Sequence, residues 1–337
     1  REGNPCEAAP MTAPSTKPND LMPRIAFFAA TLFFACLYGL FAARYDWFPN
    51  SIVSGALAAA ERTDQDVDLS LHHVHPARYE LAGTKSYAQD QSGDAILVTS
   101  FWPDVDDMPG LRLIDRDGNQ LHHWRVNPAN IWPDSPHTDS VRGLFNSKTN
   151  YIHGSYLFPG GDVLFNVEFM GLVRMNPRGE VVWTLDRRTH HSVTRTEDGD
   201  FWVCGMRWIE TAQQQKGRFR GLALPLVEDY ALKVSPDGAV LQEVSMLGAL
   251  FDAGMKDRIW RVGGMRDGDI LHMNDVEPLP AAIADDYPLF EAGDLLVSLR
   301  NIDTVMVVDP QTSAVKWSAS EPFLKQHDPD WLGDGWI

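Results

Sequence analysis

Apolar positions along this chain follow two different rhythms. Between Ile25 and Ala43 the run IAFFAATLFFACLYGLFAA carries no charge in 19 residues. As a helix it extends roughly 28 Å, close to the ~30 Å hydrocarbon core of a bilayer. Arg24 precedes it, and Arg44, Tyr45 and Trp47 follow, which suits a span that ends in an aromatic belt. The run is longer than the ~7–15 apolar residues of a cleaved signal peptide, and the sequence after it makes a poor Ala-x-Ala-like cleavage site. The expected arrangement is a retained signal anchor with the domain after it outside the cytoplasm. Residues 1–24, rich in Pro, Ala, Asn and Thr, read as a disordered lead, and residues 44–78 as a stalk.

From residue 79 to 337 the rhythm changes. Helical periodicity is scarce, and short β-branched and aromatic runs recur between Gly, Asp and Pro turns. DAILVTSFW, GDVLFNVEF, GDFWVCGMR, GDILHMN and GDLLVSLRN read as strands entered through a turn. A second unit is a strand, a tight turn and another strand: LRLIDRDGNQLHHW, LVRMNPRGEVVW, ALKVSPDGAVLQ and VMVVDPQTSAVKW. Its turn residues Asp115, Asn176, Ser235 and Asp309 are spaced by 61, 59 and 74 positions. A four-stranded unit at this period predicts an all-β chain, specifically a β-propeller. The strands near 162–167, 200–205, 268–272 and 293–299 are expected to be innermost.

A second periodicity involves histidine. His153 precedes Asp162 by nine positions, and His191 precedes Asp200 by nine. His327 opens HDPDWLGDGW with Trp336 in the corresponding place, and Asn274 of HMNDVEPLP takes the same slot in another repeat. Equivalent positions in successive blades face one axis, so these side chains are expected to converge with His272. The bland reading is that such residues only hydrogen-bond a neighbouring blade.

Composition narrows the partners. With 46 acidic and 29 basic side chains the formal charge is −17, which argues against a nucleic-acid binder. It leaves an anionic small substrate open, since a few local cations dominate one pocket. Cys6, Cys36 and Cys204 form neither a zinc pattern nor a disulfide framework, and Cys204 reads as a small buried hydrophobe. His72, His73 and His75 lack a further ligand in metal-like spacing. Ser140–Arg142 and the segment around Arg218 and Arg220 are candidates for an acceptor-binding rim. Trp202, Trp208, Trp260 and Trp331 read as core residues before they read as stacking platforms.

LHMNDVEPL, DLLVSLRNIDTVMVVDPQTSAVKW and QHDPDWL resemble the bacterial arylsulfotransferase family of β-propeller enzymes, with the likeness running over roughly residues 80–337. The resemblance implies a six-bladed propeller that is incomplete here, since the chain stops at GDGWI inside an expected strand. It implies transfer of a sulfuryl group from an aryl sulfate donor to a phenolic acceptor through a sulfated histidine, with no cofactor and no metal. It makes His327 the nucleophile and Arg300 the ligand of the sulfuryl oxygens, with His272 and Asn274 lining the pocket. His191 or His272 would move the phenol proton, and His190 and His153 would contact substrate. The expected location is the inner membrane, single-pass, with the globular domain in the periplasm. The competing expectation is a non-catalytic propeller that docks in a membrane complex.

Overall fold

The computed structural model describes residues 21–45, 94–105, 108–133, 137, 151–261 and 268–337. The lead before Leu21, most of the stalk, His72, His73 and His75, and Ser140–Arg142 lie outside the described residues. The chain divides into two units, Arg1–Leu69 and Ser70–Ile337, and each is described by itself.

In the first unit, helix α1 (Leu21–Tyr45) takes in the uncharged run and starts four residues before it. Its stretch Leu21–Ala42 is long and apolar enough to cross a membrane. Thr31, inside the apolar stretch, donates its Oγ1 proton to the Phe27 carbonyl one turn back at 2.8 Å. The helix thereby satisfies the Thr31 hydroxyl internally, as a bilayer demands.

The second unit is mostly β, with four antiparallel sheets among the described residues. β1 (Ile96–Trp102), β2 (Met108–Ile114) and β3 (Gln120–Arg125) form one of them. The second runs in order through β4 (Ile152–Leu157), β5 (Val163–Val167), β6 (Gly171–Met175) and β7 (Val181–Leu185). The third contains β8 (Arg188–Arg195), β9 (Phe201–Ile209), β10 (Leu226–Val234) and β11 (Val240–Ser245). The fourth contains β12 (Met273–Pro278), β13 (Leu295–Leu299), β14 (Thr304–Val308) and β15 (Val315–Ala319).

Each four-stranded sheet is a meander, and the repeated phrases of the sequence have distinct duties in it. The hairpin turns at Asp115, Asn176, Ser235 and Asp309 join the last two strands of their sheets. Asp115, Asn176 and Asp309 each accept, through a side-chain oxygen, the N–H two residues on, at 3.0, 2.9 and 2.8 Å. That local bond is why Asp and Asn favour such turns. The Gly-Asp pairs open the second strand. Gly161, Gly199 and Gly293 have φ of 89°, 93° and 90°, a region where a Cβ is strained. The aspartates then pair with cations on later strands: Asp162 with Arg174 at 2.8 Å, Asp200 with Lys233 at 3.1 Å and Asp294 with Lys316 at 2.8 Å.

Consecutive sheets share cores, and period-two alternation explains how. On β5, Val163, Phe165 and Val167 join Leu111 and Trp124 of the first sheet, while Leu164 faces Phe201 and Leu232 of the third. On β9, Phe201 and Val203 face back toward β5, and Trp202 and Cys204 face forward to Val276 and Val297. These second strands are buried on both sides, which is why they read as unbroken apolar runs. Side chains at the outer edge also stitch neighbouring sheets. Trp124 Nε1 donates to the Asn176 carbonyl at 3.1 Å and Trp183 Nε1 to the Pro236 carbonyl at 3.0 Å, and Gln242 donates to the Pro310 carbonyl.

The structure corrects the expected innermost strands. β5, β9 and β13, the strands that follow Gly-Asp, stand second in their sheets, and residues 268–272 precede β12 rather than forming a strand. The first strands β4, β8 and β12 lie side by side: Gly154 of β4 abuts the His191 carbonyl and Val193 nitrogen of β8, Asn166 Nδ2 on neighbouring β5 donates to the His191 carbonyl at 3.0 Å, and Val276 N–H on β12 donates to Ser192 Oγ at 3.1 Å. The unbroken apolar runs signalled burial between sheets, not proximity to an axis. The chain also forms short helices after β11, Met246–Asp252 and Lys256–Arg261, that the strand-dominated pattern obscured. Ser245 Oγ caps the first of them by accepting the Gly248 N–H at 2.9 Å.

Candidate active site

All three first strands break register at their chemistry-bearing residues. β4 is irregular between Ile152 and Ser155, which holds His153; β8 between His190 and Val193, which holds His191; β12 between Met273 and Asp275, which holds Asn274. A bulge turns a side chain out of the plain alternation of a strand. His191 pays for this locally with a φ of 50°, and His272, just before β12, has a φ of 49°. At Gly154 the strands nearly touch, since a Cβ there would lie 2.2 Å from the His191 carbonyl oxygen.

The result is a cluster of imidazoles drawn from β4, β8, the residue just before β12 and the C-terminal loop. The His191 ring centroid lies 4.4 Å from that of His153, 5.1 Å from His190, 5.2 Å from His272 and 6.1 Å from His327. His327 is exposed in the loop after β15, and its Nδ1 is 3.0 Å from the Lys325 carbonyl. A carbonyl only accepts, so Nδ1 carries the proton and the lone pair of the neutral ring sits on Nε2. Asn274 tethers this loop, donating from Nδ2 to the Gln326 carbonyl at 2.9 Å. His272 Nδ1 rests 2.5 Å from Asp269 Oδ2.

Arg300 follows β13. Its backbone N–H donates to the His272 carbonyl at 3.2 Å, and its guanidinium donates to Asn301 Oδ1 at 2.9 Å. The backbone thus ties Arg300 to the histidine cluster while its side chain is engaged by its neighbour. His190 is 2% exposed, with Nδ1 2.9 Å from His191 Nδ1 and Nε2 3.8 Å from Asp229 Oδ1. Burial, then the neighbouring His272 and His153, pushes its pKa down to about 3. Burial and four surrounding imidazoles hold His191 far below its ordinary value as well. Both rings are therefore neutral near pH 7, and His191 resists protonation, so it can offer a lone pair or an N–H but not a positive charge.

Other anticipated residues have structural duties. Cys204 is fully buried, with burial raising its thiol pKa, and contacts Ser192 Oγ at 3.4 Å. Trp202 and Trp331 are core residues, whereas Trp260 is exposed. Arg218 is 3.6 Å from Glu228, a carboxylate only 1% exposed that also accepts from Arg207 and Ser245. Four residues of the site carried no advance signal by spacing: Asn166, Glu168, Asp229 and Asp269. For the first three the available clue was a polar residue inside an otherwise apolar strand phrase, in LFNVEF and LVEDY.

The model of the family described as Arylsulfotransferase (ASST) matches residues 155–335. Comparison with curated proteins gives no match. The structure is similar to the crystal structure of a protein of unknown function from Bacteroides caccae, at 12% identity and a TM-score of 0.29. That likeness covers 64% of this chain and 56% of the other. The family match takes in β5 to β15, the loop of His327 and every cluster residue except His153, which lies two positions before it. On that match the chain belongs to the arylsulfotransferase (ASST) family.

Proposed function

We propose that this protein is a membrane-anchored aryl sulfotransferase, built on a β-propeller, that passes a sulfuryl group from an aryl sulfate to a phenol through a sulfated His327. The observation that carries this reading is the meeting of His153, His191 and His272 with an exposed His327 whose lone pair is on Nε2. In the first half-reaction Nε2 attacks sulfur, the N–S bond forms and the S–O bond to the aryl group breaks. The departing phenolate takes a proton from His272, whose Nδ1 is backed by the Asp269 carboxylate. The acceptor phenol then returns a proton to His272 as its oxygen attacks sulfur and releases His327.

Sulfuryl transfer, like phosphoryl transfer, is expected to be loose, with charge spread over the equatorial oxygens. Arg300 is assigned to those oxygens, exchanging Asn301 for the substrate; its planar fork suits two oxygens at once. Asn274 acts as a positioning residue through Gln326. His190 supports His191 from beneath, and His153 and His191 flank the donor.

The test is His327→Asn. The residue is exposed, so the fold is expected to persist, while an amide nitrogen cannot attack sulfur. Incubation of the parent with an aryl sulfate should add one sulfuryl group by intact mass, and the variant should show neither the adduct nor turnover. Parent-level turnover in the variant ends the sulfohistidine reading, and absence of adduct and turnover in the parent favours a docking subunit.

A further inference from the structure

The same cluster contains a second constellation, in which Glu168 joins His153 and His191. Glu168, at the end of β5 and 4% exposed, directs Oε2 to within 2.9 Å of His153 Nδ1 and Oε1 to within 3.9 Å of His191 Nδ1. One ligand atom from each of the three residues lies within 4.8 Å of the other two. The 2.9 Å approach is misaligned for a hydrogen bond, and the buried His153 Nδ1 has no hydrogen-bond partner among the described residues. Two imidazole nitrogens and a carboxylate oxygen brought this close make a donor set that a cation completes.

We propose that His153, Glu168 and His191 bind one divalent transition-metal ion, zinc or a metal of similar ligand preference, with an open coordination position beside His272 and His327. Two His and one carboxylate with a vacant position is the donor set of catalytic zinc and of non-haem iron sites. With bonds of about 2.0–2.1 Å, tetrahedral ligand atoms stand roughly 3.3 Å apart, between the two separations observed. The donors come from three places in the chain: the bulge of β4, the end of β5 and the bulge of β8. His190 Nδ1 lies 2.9 Å from the same His191 Nδ1, so the ion takes the place of that contact, and Asp229 stands behind His190. The site shares His153 and His191 with the proposed donor pocket but not the nucleophile His327, and its test needs no aryl sulfate.

Full-length protein in detergent, stripped with a chelator, is titrated with Zn²⁺ and, as a spectroscopic probe, Co²⁺. The expected result is one ion per chain, with an X-ray absorption spectrum of the zinc form showing nitrogen and oxygen ligands including two imidazoles. His153→Ala and Glu168→Gln should each weaken uptake at least tenfold, whereas replacing His72, His73 and His75 together by Ala should leave it unchanged. Thermal unfolding of each variant separates lost binding from lost fold, and the spectrum of the parent protein decides the ligand set without any variant. No stoichiometric uptake overturns the proposal. So does uptake that survives in a folded Glu168→Gln protein, disappears with the stalk histidines, or shows sulfur ligation.

Discussion

At the scale of single residues, the site depends on the close approach of β4 to β8. A methyl group on Gly154 would meet the His191 oxygen at 2.2 Å and the Val193 nitrogen at 2.6 Å, both backbone atoms. Neither can rotate away, so Gly154→Ala must push the two bulges apart. We expect a loss of about 1–3 kcal/mol in stability by denaturant titration. Because the bulges aim His153 and His191, turnover of protein that remains folded should fall as well; unchanged stability and turnover would show that the strands have slack. The histidines themselves were legible because a repeating chain places equivalent residues at equal intervals. Asn166, Glu168 and Asp229 were not, because their partners stand on other strands and only the fold reveals which apolar phrase surrounds a carboxylate.

At the scale of elements, the hairpin turns and Gly-Asp entries were legible because their residue choices are dictated locally, by side-chain-to-backbone bonds and by a φ near 90°. Strand order was not. A run buried on both faces looks the same whether it lies first or second in its sheet, so LLVSL announced burial without position. The two helices after β11 were missed because each is under two turns long and their packing, not their periodicity, holds them. α1 was the plainest element, being long, uncharged and self-satisfied at Thr31. If it is a retained anchor with the remainder of the chain outside the cytoplasm, protease added to intact spheroplasts should digest the β domain. Protection until lysis would reverse that orientation.

At the scale of the whole β unit, acid groups gather where β12 meets β8 and the C-terminal segment. Burial, then Asp328, pushes Asp275 up to about 8, and burial with Asp330 and Asp328 pushes Glu277 up to about 7. Both bind a proton more tightly folded than unfolded, where carboxyls titrate near 4. Their contribution is therefore fully present below about pH 4 and is lost as pH rises through the folded values. Stability should decline from about pH 5 to about pH 8, at up to roughly 1.4 kcal/mol per pH unit for each proton released. Asp275→Asn should flatten that decline in denaturant titrations, and an unaltered slope would remove Asp275 from the account.

The stitches between sheets also impose an order in time. Trp124 reaches a carbonyl 52 residues ahead of it, Trp183 one 53 residues ahead and Gln242 one 68 residues ahead. Each bond runs from an earlier sheet to a turn not yet made when that sheet's last strand leaves the ribosome. The outer margin of every such sheet stays provisional until its successor arrives to close it. Maturation therefore proceeds as a relay from the N-terminal side, and a fault in any one turn is inherited by the sheet synthesised before it.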